Sequence, residues 1–354
     1  MFDREFILNC LEEKDLSKIE SLFDQAYDLK VKTIGDKVYL RGIVEISNIC
    51  AKNCLYCGVR RDNHNRSLYE LDEDVVLQGA KFALDSNYGS MVIQGGERTD
   101  AKFIAKITSI LKKIKKLSEG TAKQPLGITL SLGEQSLDVF EEWFEAGAHR
   151  YLLRIESYNE ELYYKIHPRD SVHSFDRRVQ ALYDLKTAGY QVGTGVMIGL
   201  PFQNNDILCD DLLFFKNLDI DMCGMGPYLE HSDTPLYQYR HLLMPQKERL
   251  LLSLKMVALL RMLMPDINIA ATTALQVIDP FGRERAVKAG ANIIMPNVTI
   301  ADVRSDYQIY ENKPGVEDDA VVSKSKLEEN LEKMKIPIGW SQWGDSLHFN
   351  KNLL

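Results

Sequence analysis

Short apolar runs alternate with amphipathic helical patterns along most of the chain. Eight runs are nearly continuous in apolar and β-branched residues, which indicates strands buried on both faces, as in parallel sheets. These runs occupy residues 38–47, 90–94, 127–132, 151–156, 192–199, 222–229, 267–273 and 293–296. The pattern therefore predicts an α/β fold built on a parallel sheet.

Helical patterns lie between the apolar runs. They cover residues 71–86, 103–117, 137–146, 175–188, 207–217, 245–264 and 284–289. Three of them end in an Ala-Gly pair, which is typical of a helix C-cap before the next strand. Eight strand-then-helix units over roughly 265 residues predict a complete (β/α)8 barrel of the TIM type.

The barrel does not account for the two ends of the chain. Residues 1–36 have a charged, helical pattern and predict an N-terminal helical cap. The barrel is expected over residues 37–312. Residues 313–354 are charged and predict a C-terminal extension whose helix packs outside the barrel.

Composition and charge narrow the functional classes. Of 354 residues, 45% are hydrophobic and 27% charged, which is ordinary for a globular protein. A net charge of −8 argues against nucleic acid or an anionic membrane as the main partner. The sequence shows no secretion signal and no apolar run of 18 residues, so we expect a cytoplasmic protein without a membrane span.

Three of the six cysteines cluster directly after the first predicted strand, in the spacing C-x3-C-x2-C: Cys50, Cys54 and Cys57. Thiolates are soft ligands that suit iron–sulfur clusters, zinc or copper(I). A structural zinc site needs four ligands, and His64 is the one nearby candidate for the fourth. Three cysteines on a four-iron cluster leave one iron open to a small molecule. The position at the end of a barrel strand favours this catalytic cluster, while zinc remains the alternative.

Unusual polar residues also follow the other runs. Active sites of such barrels lie at the carboxyl ends of the strands, so these residues are expected to share one site. Arg154 and Glu156 alternate on one predicted strand and therefore face the same side. Two charges facing into a barrel are costly unless they are paired or used.

The cysteine motif, with Tyr56 before its last cysteine, resembles the radical S-adenosylmethionine superfamily. Longer stretches such as VEISNICAKNCLYCGVRRDN, RYLLRIES, GYQVGTGVMIGLP and GANIIMPN resemble the HydE family of [FeFe]-hydrogenase maturases across about residues 1–312. The likeness to biotin synthase or methylornithine synthase is weaker. The resemblance implies that the three cysteines hold a [4Fe–4S] cluster. S-adenosylmethionine would chelate the open iron, and its reductive cleavage would yield a 5′-deoxyadenosyl radical.

The same resemblance implies the surroundings of S-adenosylmethionine. Glu97 would bind the amino group, Arg178 (or its neighbour Arg177) the carboxylate, and Glu156 the ribose hydroxyls or the methionyl end, with Arg154 nearby. The full set of implied cofactor-binding residues is Tyr56, Gln94, Gly95, Gly96, Glu97, Ser131, Glu134, Arg154, Glu156, Arg178, Met197 and Leu200. Met197 and Leu200 would pack against adenine. A plain turn at 94–97, a surface salt bridge at the arginines and a core methionine remain the structural alternatives.

The resemblance also implies a substrate, an iron–dicarbonyl–cyanide–cysteine unit made by a partner maturase. The residues expected around it are Thr272 and Thr273 at the end of the seventh strand, Met295 at the end of the eighth, Tyr307 and Tyr310. The two tyrosines can equally form a packing face. Other hydrogenase maturases and an electron donor such as ferredoxin or flavodoxin are the expected partners.

One departure from the family concerns the C-terminal part. Many HydE proteins hold a second cluster there, but residues 299–354 contain no cysteine, so we expect no second cluster. Two other functions stay open. One is a related radical enzyme with another small-molecule substrate, such as a methylornithine synthase-like mutase or a maturase of a different metal cofactor. The other is a non-enzymatic zinc- or cluster-binding scaffold.

Overall fold

The computed structural model describes residues 3–119, 121, 123–315 and 318–352. Within them lie ten strands: β1 (Tyr39–Ser47), β2 (Ser90–Gly95), β3 (Gly127–Ser131), β4 (Arg150–Leu152), β5 (Gln191–Thr194), β6 (Met197–Ile198), β7 (Met222–Cys223), β8 (Gly226–Pro227), β9 (Asn268–Ile269) and β10 (Ile293–Ile294). Eight form one sheet in the order β10-β1-β2-β3-β4-β5-β7-β9. All pairs are parallel, and a parallel bridge between Ala270 and Ile293 joins the two edges. The predicted (β/α)8 barrel is confirmed.

Two predicted strands are each divided in the structure. The run 192–199 forms β5 and β6, and the run 222–229 forms β7 and β8. Strands β6 and β8 leave the barrel sheet and pair with each other. Gly195 lies between β5 and β6, and Gly224 lies between β7 and β8. The two segments approach so closely here that a Cβ on Gly195 would lie 2.0 Å from the Gly224 carbonyl oxygen. Only glycine fits this crossing.

The end of the seventh predicted strand was wrong. Strand β9 ends at Ile269, and Thr272 is instead the N-cap of a helix that begins at Thr273. Threonine is a favoured N-cap residue, so this sequence suits a helix start as well as a strand end. Met295 likewise lies one residue beyond β10 rather than within it.

The helices are α1 (Arg4–Glu12), α2 (Leu16–Ile34), α3 (Glu73–Asp85), α4 (Ala101–Lys116), α5 (Leu137–Glu145), α6 (Glu160–Ile166), α7 (Phe175–Thr187), α8 (Asn205–Leu218), α9 (Gln246–Leu263), α10 (Thr273–Ile278), α11 (Gly282–Lys288), α12 (Ala301–Arg304), α13 (Ala320–Lys333) and α14 (Leu347–Asn352), with a 3₁₀ helix at Pro235–Leu242. The seven predicted helices are all present. Helices α6, α10, α12 and α14 were not predicted, because four to seven residues are too few to show a helical period.

The N-terminal helices pack on the outside of the barrel. Helix α1 contacts α8 and α9, and α2 contacts α9 and α11. Because these helices cover α9, that helix is buried on nearly all sides. None of the described helices is long and apolar enough to cross a membrane.

The C-terminal segment closes the amino end of the barrel. After α13, Ile338 forms a parallel bridge with Val38 beside β1. The Gly344 carbonyl then accepts hydrogen bonds from Arg41 Nη2 (3.0 Å) on β1 and Asn268 Nδ2 (2.8 Å) on β9, strands that lie on either side of β10. The opposite, carboxyl end of the strands is where the large cavity lies.

Candidate active site

A cavity of about 380 Å³ occupies the carboxyl end of the barrel, a size that suits a small-molecule ligand. Eighteen of the predicted site residues line it: Cys50, Cys54, Tyr56, Cys57, Gln94, Gly95, Gly96, Glu97, Ser131, Arg154, Glu156, Arg178, Met197, Thr272, Thr273, Met295, Tyr307 and Tyr310. Two others, Glu134 and Leu200, lie behind the lining. The fold thus brings together residues that are more than 250 positions apart in the chain.

The three clustered cysteines lie on the loop of residues 48–60 that follows β1, here called the cysteine loop. All three thiols are free and partly exposed to the cavity. Burial raises the pKa of Cys57 to about 12, with a further contribution from Cys50, and burial also raises the pKa of Cys54. Three thiolates here therefore need a compensating positive charge, which an iron–sulfur cluster would supply.

A single metal ion fits the loop less well than a cluster does. No group of three or more His, Cys, Asp or Glu among the described residues is arranged to hold one ion. His64, the possible fourth zinc ligand, is exposed and does not line the cavity. The donor set facing the cavity consists of three soft thiol ligands, which suits a cluster with one open iron.

The turn after β2 holds the first part of the cysteine loop. A Cβ on Gly96 would lie 2.2 Å from the Ile49 carbonyl oxygen, so the close approach requires glycine. The Ala51 amide donates to the Glu97 carbonyl (2.8 Å), and the Glu97 amide donates to Cys50 Sγ (3.3 Å). The Gly95-Gly96 pair therefore places the Glu97 side chain beside the cysteines.

Two histidines from the α6–α7 region hold the rest of the loop. Asp170 accepts from His173 Nδ1 (2.6 Å), which leaves Nε2 to accept the Asn53 amide (2.8 Å). His167 lies 3.4 Å from the Tyr56 hydroxyl and meets its ring edge-on. Both contacts join residues more than 100 positions apart, so no local sequence pattern predicts them.

A buried network of four charges borders the cysteines. Lys52 Nζ lies 3.1 Å from Glu97 and 3.0 Å from Glu134. Arg178 pairs with Glu134 and lies 3.4 Å from Glu97. Burial raises the pKa of Glu97, whereas at Glu134 the neighbouring Arg178 and Lys52 outweigh burial and lower the pKa. The side chain of Arg178 is 11% exposed against 60% for Arg177, so Arg178 is the arginine that faces the cavity.

Arg154 and Glu156 form a second charged pair in the cavity. Their side chains lie 2.9 Å apart, but the atoms are not aligned as a hydrogen bond, and Arg154 Nε and Glu156 Oε2 are buried without a hydrogen-bond partner in the described chain. Glu156 also has a φ of +65°, which places its side chain where a regular strand would not. Unused hydrogen-bonding capacity of this kind points to a polar ligand.

The opposite wall is built from β1, β2 and the segments on both sides of α12. Gln94 Nε2 donates to the Tyr307 hydroxyl (3.2 Å). Lys313 pairs with Glu45, which also accepts from Asn297 Nδ2 (3.1 Å). Sequence reasoning missed Glu45 and Lys313, although a glutamate inside an otherwise apolar strand was an available signal.

Met197 and Leu200 differ in their surroundings. Met197 lines the cavity, whereas Leu200 packs in a small hydrophobic cluster with Met197, Tyr228 and three other apolar residues. Tyr56 packs against the same cluster. Leu200 therefore supports Met197 and Tyr56 from behind rather than facing the cavity itself.

Known proteins share both the sequence and the fold of this site. Residues 44–215 match the family model of the Radical SAM superfamily. The chain is 44% identical to the [FeFe] hydrogenase maturase subunit HydE of Thermotoga maritima over 88% of this chain and 85% of that protein. It is 25% identical to 3-methylornithine synthase of Methanosarcina acetivorans over 82% and 77% of the two chains. The crystal structure of methylornithine synthase superposes with a TM-score of 0.78 at 21% identity, covering 96% and 95%.

Proposed function

Because the chain belongs to the HydE family of radical S-adenosylmethionine enzymes, we propose that Cys50, Cys54 and Cys57 hold a [4Fe–4S] cluster at which S-adenosylmethionine is cleaved. When bound, the cluster supplies the electron that breaks a C–S bond of the sulfonium and gives the 5′-deoxyadenosyl radical. The observation that carries the proposal is the arrangement of three free thiols beside a buried pair of opposite charges in one cavity.

The buried charges match the amino acid end of S-adenosylmethionine. Its carboxylate suits the Arg178 guanidinium, which binds such groups through two hydrogen bonds, and its amino group can donate to Glu97. Lys52 and Glu134 are paired with each other and can remain so when this ligand binds. The four side chains carry no net charge, so the network itself buries no unbalanced charge before the ligand binds.

The remaining cofactor contacts come from the strand ends. Glu156 and Arg154 offer an acceptor and a donor for the ribose hydroxyls or the methionyl end, and both have unused polar atoms. Met197 provides apolar surface for adenine, and Leu200 supports it from behind. Ser131, Gln94 and the two glycines after it complete the wall beside the ligand.

We propose the iron–dicarbonyl–cyanide–cysteine unit as the substrate, on the strength of the identity to HydE. Thr272, Thr273, Met295, Tyr307 and Tyr310 line the part of the cavity that the cofactor contacts leave free. Hydroxyl and phenol groups there can orient a metal-bound anion. Enclosure of the radical within the barrel limits side reactions with water. A partner maturase would supply this substrate, and a ferredoxin or flavodoxin the electrons.

Anaerobic turnover tests the proposal. Protein with its cluster is mixed with reductant and S-adenosylmethionine, with and without the synthetic iron–dicarbonyl–cyanide–cysteine complex, and 5′-deoxyadenosine or an adenosyl adduct is measured. We expect product formation to depend strongly on the complex. Slow cleavage whose rate does not depend on the complex would support the radical chemistry. It would also indicate that the substrate is another small molecule, as in methylornithine synthase.

Cys54→Ala is the matching ligand variant. We expect about four irons per wild-type chain, and loss of both iron and 5′-deoxyadenosine in the variant. Cys10→Ala is the control, because Cys10 lies on α1 outside the cavity. Retention of cleavage by Cys54→Ala would show that the cluster ligands are assigned wrongly.

A further inference from the structure

One cationic side chain that lines the cavity, Arg283, forms no ion pair with a carboxylate of the described residues. Six cationic side chains line the cavity: Lys52, Arg154, Arg178, Arg283, Lys313 and Lys326. Five of them have carboxylate partners within 4 Å, including Glu45 for Lys313 and Asp318 for Lys326. Within the described residues, Arg283 alone among the six has none.

Arg283 lies near the start of α11 and is 9% exposed. It makes no hydrogen bond or ion pair with any residue that the structure describes, and its Nε is sealed from solvent. Its chain neighbour Glu284 acts on it electrostatically but forms no ion pair with it, since successive side chains on a helix point about 100° apart. Burial accordingly lowers the pKa of Arg283. A buried guanidinium that makes no hydrogen bond is costly, and an acceptor group on a ligand would satisfy it.

Two further polar groups lie beside this arginine. Tyr310, like Glu284 and Tyr88, is close enough to act on Arg283 electrostatically, and Gln276 lies on α10, which packs against α11. Both line the cavity, and neither side chain forms a hydrogen bond with another described residue. A guanidinium fork, a phenol hydroxyl and an amide together provide the donors that a carboxylate needs.

We propose that Arg283, with Tyr310 and Gln276, forms a subsite that binds a carboxylate or another anionic group of the substrate. The assignment of this anion to the substrate rests on the proposed function. Helix α11 connects β9 to β10, which lie four places round the barrel from β3 and β4. Arg283 therefore holds the substrate from the side of the mouth opposite Glu134, Arg154 and Glu156.

Bromide in crystals of the cluster-loaded protein tests the anion site directly. We expect an anomalous difference peak at Arg283 in the wild type that disappears in Arg283→Gln. Arg285→Gln is the matched control, because Arg285 lies on the same helix, is paired with Asp279 (2.7 Å) and does not line the cavity. It should keep the peak. A missing wild-type peak, or one that survives in Arg283→Gln, would overturn the site.

Kinetics with the iron–dicarbonyl–cyanide–cysteine complex test the link to the substrate. We expect Arg283→Gln to raise the KM for the complex at least tenfold, with unchanged iron content and S-adenosylmethionine affinity. Arg283→Lys should recover part of the loss, since lysine keeps the charge but not the fork. Bromide binding with an unchanged KM would refute the substrate role. If the turnover of the wild type does not depend on the complex, the proposed substrate is wrong. The bromide experiment still tests the anion site in that case.

Discussion

At the scale of single residues, Arg177 and Arg178 are chain neighbours, but only Arg178 faces the cavity. Their side chains are 60% and 11% exposed, because neighbouring positions on α7 face solvent and cavity respectively. We expect Arg178→Gln to weaken S-adenosylmethionine binding at least tenfold while iron content stays the same, since the variant loses a bidentate contact to the carboxylate. Equilibrium binding to the cluster-loaded protein measures this. Arg177→Gln should bind normally, and the reverse result would exchange the two roles.

Asp211 on α8 is buried away from the cavity lining and affects stability instead. One carboxylate oxygen accepts the Tyr158 amide (2.6 Å), and the other has no hydrogen-bond partner among the described residues. Burial raises its pKa to about 8 from an ordinary 3.8. The folded state thus binds this proton more tightly than the unfolded state, and the free energy of unfolding falls as the pH rises from about 4 to 8.

Removing this charge should stabilise the protein above neutral pH. We expect Asp211→Asn to raise the free energy of unfolding at pH 8 by about 1–3 kcal/mol, because a neutral amide replaces a carboxylate whose charged form is penalised by burial. Its stability should also vary less between pH 6 and 8. Chemical denaturation across this pH range measures both effects, with the exposed Asp24→Asn as control. An unchanged pH profile would mean that Asp211 does not titrate there.

At the scale of elements, the α6–α7 connection fixes the cysteine loop through His173. We expect His173→Leu to leave the Asn53 amide without its acceptor and to speed the loss of iron from the cluster. The control is His64→Leu, which changes an exposed histidine outside the cavity. Iron release to a chelator under anaerobic conditions compares the two. Equal rates of iron release would show that His173 does not position the cysteine loop. Faster iron loss from His64→Leu would instead indicate that His64 is a metal ligand.

The sequence predicted the elements better than their contacts. Apolar runs and helical periods located all eight barrel strands, and the three predicted Ala-Gly helix ends have glycines with positive φ at 147, 189 and 290. These features depend on local spacing. The pairing of Lys52 with Glu134 and of Lys313 with Glu45 depends on how distant segments meet, and no local pattern encodes that. For the same reason the lone Arg283 was found only in the structure.

At the scale of the whole molecule, the barrel has a polar plug at its amino end and an open cavity at its carboxyl end. Arg41 and Arg150 are both buried at the amino end, where the C-terminal segment supplies Asp345 and backbone carbonyls as partners. Burial lowers the pKa of Arg150 to about 10 even with Asp345 beside it. Residues 343–345 therefore partly compensate the buried positive charges at the amino end of the barrel, while the proposed ligand-binding groups lie at the carboxyl end.

Because the polar plug and the cavity lie at opposite ends of the barrel, we expect that the protein can be destabilised at the amino end without changing the active site. Asp345→Ala leaves two buried arginines without a carboxylate, so we expect the free energy of unfolding to fall by about 3 kcal/mol. Chemical denaturation measures the loss, with Glu329→Ala on the exposed face of α13 as control. Iron content and S-adenosylmethionine affinity of the folded variant should equal those of the wild type, because Asp345 does not line the cavity. A variant with normal stability but weaker cofactor binding would show that the amino end and the carboxyl end of the barrel are coupled.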